Sequence, residues 1–175
     1  MAFTRLWEEL SPIVAGYVRG RGVRDCDDVT SEVFLAVFRG LGNFDGDGSS
    51  FRRWLFTIAH HRAVDALRQQ TRHAGEVPFE GEHETRSRPS AEVEAIGRIE
   101  HRAALGLIHQ LPADQRDVLL LRVVADLPVE EVALVLNRSA DAVRQLHRRA
   151  LTRLRDVATT ELTSSRPTGT TLRWS

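Results

Sequence analysis

Apolar residues recur along most of the chain at intervals of three and four, and nowhere alternate singly, so the pattern predicts helices and no strands. Leu6 to Val18 read as a short amphipathic helix, with Pro12 its candidate break and the Gly20 to Gly22 stretch its end. Asp27 or Asp28 can cap a second helix running to Arg39, with Val29, Val33, Ala36 and Val37 on one face. Phe34, Phe38 and Leu41 are expected to widen that face. GNFDGDGSS is a loop by composition, and Ser49 or Ser50 is expected to cap a long third helix. In that helix Phe51, Leu55, Ile58, Ala59, Ala63, Ala66 and Leu67 keep the helical spacing.

From about Thr71 to Ala91 the chain turns to Gly, Pro, Ser and Glu with few bulky apolar groups, a composition that cannot bury enough to hold a fold alone. Helical spacing returns near Val93 and lasts to about Ala158, broken at Leu111-Pro112, Asp126-Leu127-Pro128 and Asn137-Arg138-Ser139. The Thr/Ser-rich stretch from Val157 onward is expected to fray. The fold class expected is therefore all-α: two small helical domains, 1–73 and 96–158, joined by a flexible acidic linker over 74–95, with 159–175 a disordered tail.

The most specific local signal is VEEVALVLNRSADAVRQLHRRALTRLR, from Val129 to Arg155. Pro128 suits a first helical position, where its missing N–H costs nothing. Val132, Val135 and Leu136 then point inward, and Ala133 is small where another backbone must come close. Asn137, four residues on, tolerates a left-handed turn, and Val143 and Leu146 return to the core. This spacing describes a helix-turn-helix, whose second helix enters the DNA major groove. Arg144, Gln145, Arg148 and Arg149 are left facing out, with Arg138 in the turn. Arginine can fork to guanine O6 and N7, glutamine can pair with adenine, and flanking arginines can hold phosphates. A solvated helical hairpin would show the same charged face, and a helix-turn-helix alone names no class of regulator.

Charge first seems to argue against nucleic acid, because 24 basic residues balance 24 acidic ones in the 175-residue chain. The charges are sorted, however. From Asp25 to Asp47 six acids face Arg39 alone; from Phe51 to His73 five arginines face Asp65; from Ala74 to Glu100 seven glutamates face three arginines; from Arg138 to Arg155 six arginines face Asp141. The neutral total thus resolves into two basic surfaces separated by acidic ones. Every one of the 24 cations is arginine, the side chain best shaped for phosphate and guanine. Cys26 stands alone, so no internal disulfide can form, and a reducing compartment fits. With no apolar run of membrane-spanning length and no signal-peptide pattern, a cytoplasmic protein without membrane insertion is expected.

With these blocks in place, the chain resembles a known family. DCDDVTSEVFLAVFRGLGNF followed by FRRWLFTIAHHRAVDALRQQTR resembles region two of a bacterial RNA polymerase sigma factor of the extracytoplasmic-function class. LPADQRDVLLLRVVADLPVEEVALVLNRSADAVRQLHRRALTRLR resembles its region four. The resemblance spans most of Leu6 to Arg155 in the expected order. It implies a protein that binds core RNA polymerase and promoter DNA, takes no cofactor, and is held by an anti-sigma factor. It places Asp27, Asp28, Glu32, Val33 and Phe34 on the polymerase clamp helices, with Ser31 where the family often has glutamine. It places Asn43, Arg52, Arg53, His61, Arg62, Asp65 and Arg68 at the minus-ten element, with the 43–50 loop around an extruded base. Many relatives carry asparagine at the position of His61. Trp54 and Phe56 are candidate stacking platforms, though Trp54 reads more readily as core. The acidic linker, with Glu76, Glu80, Glu82 and Glu84, would occupy the polymerase's basic RNA channel.

Enzyme readings find little support. His60-His61, His101 and His109 lack metal-site spacing, GDGS lacks the lysine of a phosphate loop, and the Asp45/Asp47 loop is too short for calcium. The alternative to the sigma reading is a classical helix-turn-helix repressor or activator with an N-terminal interaction domain.

Overall fold

The computed structural model describes residues 2–73 and 102–164. All regular structure among them is helical: α1 (Ala2–Gly20), α2 (Cys26–Gly40), a 3-10 turn (Leu41–Asn43), α3 (Gly48–His73), α4 over 102–109, α5 (Ala113–Val123), α6 (Val129–Leu136) and α7 (Ala140–Ser164). The 74–95 linker and its glutamates lie outside the described residues.

The first half is a three-helix unit. α1 contributes Leu10, Val14, Tyr17 and Val18 to the core, and it runs through Pro12 instead of breaking there. Pro12 is exposed, so the carbonyl its ring leaves without an N–H partner can be hydrated while the opposite face stays packed. Gly22, at φ 91°, turns the chain out of the helix. α2 begins at Cys26, one residue before the expected caps, which leaves Asp27 and Asp28 in the first turn where the helix dipole favours them. Val29, Val33, Phe34 and Val37 are buried, but Phe38 is 60% exposed and Leu41 37%, so neither widens the core face as expected. The cap of α3 also differs from expectation: Asp47 Oδ1 accepts from the Ser50 N–H at 2.9 Å and the Ser49 hydroxyl at 3.2 Å. These hydrogen bonds hold the Asp47 carboxyl below its ordinary value.

In the second half, α5 and α6 end alike. Asp126 and Asn137 both adopt φ 51°, and the following N–H groups reach back, Leu127 to Leu121 O at 3.0 Å and Arg138 to Ala133 O at 2.9 Å. Pro128 is the cap rather than the first residue of α6, and its carbonyl accepts from the Glu131 and Val132 N–H groups. Ser139 Oγ accepts from the Ala142 N–H at 3.2 Å and so starts α7, which continues through the expected fraying point at Val157 to Ser164. Val132, Val135, Val143 and Leu146 are buried, and Leu136 packs at the edge of the core.

The two halves share one core, in which Leu10 to Ala63 and Val118 to Leu146 form a single buried cluster. At the end of α1 a Cβ on Gly20 would lie 2.6 Å from Leu120 Cδ2, so the bare backbone makes room for that side chain of α5. Arg21, 6% exposed, crosses the seam to Asp117 of α5 at 2.9 Å.

Candidate nucleic-acid interface

α7 follows the sequence reading. Val143, Leu146 and Ala150 face inward, which turns Arg144, Gln145, Arg148 and Arg149 to solvent, and Arg138 is exposed in the turn. Such a face suits a groove lined with base edges and phosphates. Arg144 is held by acids on both sides, donating to Asp141 Oδ1 at 2.8 Å and Glu130 Oε1 at 3.0 Å. Exposed pairs of this kind are worth ~0–1 kcal/mol and are weakened by salt, so DNA can displace them.

The second basic surface is built differently. Asn43 is exposed at the end of the 3-10 turn. Beside it Phe44 stacks on Trp54 at 5.1 Å between ring centroids and meets Phe51 edge-on at 5.5 Å. Trp54 is thus half-buried as the floor of the 43–50 loop, with Gly40 letting its ring lie against the end of α2. Phe56 is fully buried against Tyr17, so it offers no stacking face. His61, Arg62, Asp65 and Arg68 are exposed along α3, with Arg62 3.7 Å from Glu32 and Arg68 3.6 Å from Asp65.

Arg52 and Arg53 depart from the expected open track. Arg53 donates to both carboxylate oxygens of Glu131 at 2.9 and 3.2 Å, and Arg52 Nε donates to Ala125 O. Both partners belong to the second half of the chain. The two arginines are therefore half-buried in the seam, a placement that depends on the docking of distant helices.

The α2 surface also needs correction. Asp27, Asp28 and Glu32 are exposed, but Val33 and Phe34 are 0% and 2% exposed and cannot touch a partner. Their helical positions face α1 and α3, and Trp7 closes over Phe34 at 4.5 Å. The apolar groups beside the acids at the surface are Leu35 and Phe38.

Sequence reading missed a buried polar cluster at the seam. The Arg21 guanidinium donates to His60 Nδ1 at 2.8 Å and to Asp117, and the Tyr17 hydroxyl lies 3.0 Å from the same ring nitrogen. Because arginine only donates, Nδ1 must be bare and the proton must sit on Nε2. Burial, then the neighbouring Arg21 charge, pushes His60 down to about 4. Burial raises the Asp117 carboxyl despite the attraction of Arg21 and Arg116, because desolvation outweighs the pairing. Residues 39 and 96 positions apart meet here, and no local pattern announces them. Among the described residues no group of acids, histidines and cysteines could hold a metal ion, and no helix is long and apolar enough to cross a membrane.

Two exposed arginine faces on one helical scaffold suit a protein that engages nucleic acid at two places, and comparison with known proteins says which class. The family model for sigma-70 region 2 matches residues 6–73, and that for sigma-70 region 4 matches residues 107–156. The ECF RNA polymerase sigma factor SigD of Mycobacterium tuberculosis is 34% identical over 167 residues, covering 89% of this chain and 76% of that one. The ECF RNA polymerase sigma factor ShbA of Streptomyces griseus is 35% identical, over 75% and 71% of the two chains. Two solved structures share the fold: CnrH in complex with the cytosolic domain of CnrY (TM-score 0.67, 24% identity, 91% of this chain and 88% of that one), and the sigma factor RpoE in complex with the anti-sigma factor NepR from Bartonella quintana (TM-score 0.68, 18% identity, 94% and 99%). The chain belongs to the ECF RNA polymerase sigma factors. It is a sigma factor that directs transcription initiation.

Proposed function

We propose that this sigma factor, a cytoplasmic protein with no catalysis of its own, divides promoter recognition between its two basic helices. α7 enters the major groove of the minus-thirty-five element with Arg144, Gln145, Arg148 and Arg149, while Arg138 holds phosphate. On α3, His61, Arg62, Asp65 and Arg68 meet the unpaired minus-ten strand, Asn43 and its loop take an extruded base, and Arg52 and Arg53 extend the track. The domains that act so run from 1 to 73 and from 96 to 158, with 74–95 between them. Core polymerase docks on α2 through Asp27, Asp28 and Glu32, with Leu35 as the apolar contact in place of Val33 and Phe34. The observation that carries this reading is the outward set of arginines on α7, held in register by buried Val143, Leu146 and Ala150. An anti-sigma partner fits as well, since both solved proteins of like fold were captured with a second protein, named an anti-sigma factor for RpoE.

The test is to add the purified chain to core polymerase and measure promoter-dependent initiation. Transcripts from defined start sites support the reading. Binding of duplex DNA with core enzyme left inert would replace it with a classical regulator.

A further inference from the structure

Past its middle, α3 loosens its hold on the core. Leu55, Phe56, Ala59 and Ala63 are buried, whereas beyond them Ala66 and Leu67 pack against the same cluster only in part. Asp65 and Arg68, both exposed, lie in that less firmly held stretch. In the last turn Thr71, Arg72 and His73 bond back to carbonyls of α3 itself, those of Leu67, Arg68 and Gln69. Gln70 reaches out instead: its Nε2 donates to Gly22 O at 3.1 Å, and its Oε1 accepts from the Arg24 N–H at 3.0 Å. Those two backbone groups flank buried Val23, in the turn that Gly22 makes at φ 91° between α1 and α2. A carboxamide carries a donor and an acceptor side by side, so it can pair with a stretch of backbone as a peptide unit does. Glutamate and methionine have the length without that pairing, and asparagine has the pairing but is one methylene shorter.

We propose that Gln70 is a positioning residue for promoter opening: it clamps the end of α3 to the α1–α2 turn, and so fixes the DNA-facing residues of α3 relative to the polymerase-docking start of α2. The inference rests on the promoter-binding reading for its consequence, and on the two hydrogen bonds for the clamp itself. Gly40 lies against Trp54, Glu32 against Arg62 and Arg24 against Gln70, so α2 and α3 form an antiparallel hairpin closed at one end by the 41–47 connection. Midway, the Glu32–Arg62 pair is exposed and 3.7 Å apart, too weak to fix the helices. At the open end the clamp stands three residues before Asp27 and two beyond Arg68. It therefore joins the start of the docking surface to the end of the DNA track. A functional side chain keeps its aim only as well as the groups behind it are held. Without the clamp, the last turns of α3 can swing, carrying Asp65 and Arg68 off the captured strand while α2 stays docked.

The test uses the full chain, alone and as holoenzyme. Gln70→Met keeps the length of the side chain and removes both hydrogen bonds; Gln70→Glu keeps an acceptor for the Arg24 N–H and loses the donor to Gly22 O. Residue-resolved hydrogen exchange of the free chain should quicken at Arg24 and over 64–73 in the order wild type, Gln70→Glu, Gln70→Met. Neutral hydrogen bonds contribute modestly, so the gain in Gln70→Met should be roughly fivefold, with the urea midpoint little changed. In holoenzyme, affinity for core polymerase should stay within about twofold, while permanganate reactivity of promoter thymines falls roughly fivefold in Gln70→Met and less in Gln70→Glu. Equal exchange in all three proteins overturns the clamp. Faster exchange with promoter opening unchanged, or ranked in another order, overturns the positioning role. Core affinity lost in step with opening, or a midpoint that collapses in both variants, overturns it too, by making Gln70 a structural residue. A wild-type chain that opens no promoter with core enzyme overturns the promoter reading, and the exchange rates still decide the clamp.

Discussion

α3 and α7 each carry five arginines, and both are long helices on the same scaffold, yet their charges are used differently. On α7 the arginines lie at the surface, and Arg144 alone is held from two sides, by exposed acids. On α3 the first two arginines are drawn into the seam by Glu131 and a main-chain carbonyl, while Arg62 and Arg68 stay at the surface. A basic stripe in a sequence therefore measures the charge a helix carries, and the helix that docks opposite decides how much is available. Here that opposite helix is α6, eight residues long and led by two acids.

The sharpest way to break the comparison is to loosen the seam. Asp117→Ala leaves Arg21 buried without its carboxylate, and removing one partner of a buried pair costs ~3–5 kcal/mol. Urea denaturation should show a large fall in midpoint, whereas Arg53→Ala, at a half-exposed pair, should cost ~0–1 kcal/mol. Equal losses would mean that the two crossings of the seam are energetically alike.

On α7 the expectation concerns DNA instead of stability. Arg149→Ala should weaken promoter binding by ~1–3 kcal/mol if it makes a good base contact, with core polymerase binding and melting temperature kept. Loss of both activities together with unfolding would make Arg149 structural.

Next in size is a pH effect confined to the seam. His60 falls from its ordinary 6.5 to about 4 on burial, so the folded protein keeps it neutral while the unfolded chain protonates it. Its contribution is present above 6.5 and is lost as the pH falls toward 4, worth on the order of 1–2 kcal/mol by about pH 5. The raised Asp117 carboxyl works the opposite way, because its protonation favours the folded form, so the His60 slope between about pH 6.5 and 5 is read as the difference between the wild type and a His60 variant. Stability should fall with acidification there, and His60→Asn should flatten the slope; a slope unchanged by the substitution would remove His60 from the account.

The smallest expected effect separates capture from recruitment on the exposed part of α3. His61→Ala or Asp65→Ala should reduce permanganate reactivity of promoter thymines a few-fold while sparing recruitment to duplex DNA. Full reactivity in both variants would move base reading elsewhere.

What the sequence made legible is what depends on neighbours within a few residues. Asn137 is a left-handed turn because only a few residue types tolerate one, and the outward arginines of α7 follow from the spacing of Val143, Leu146 and Ala150. Placing Val33 and Phe34 on a docking surface failed because a motif names positions without saying which side of the helix the third element covers. The capture of Arg53 by Glu131 spans 78 positions and the Arg21–His60 contact 39. Such meetings follow from how whole helices pack, and periodicity carries no information about them.

Gly20 gives the seam a genetic meaning. A glycine codon has no single-base missense neighbour that lacks a β-carbon, so any amino-acid change there inserts an atom 2.6 Å from the side chain of Leu120, which is 1% exposed. Every such allele is a wedge between α1 and α5. A screen for temperature-sensitive alleles of this factor should return position 20 repeatedly, with different residues substituted.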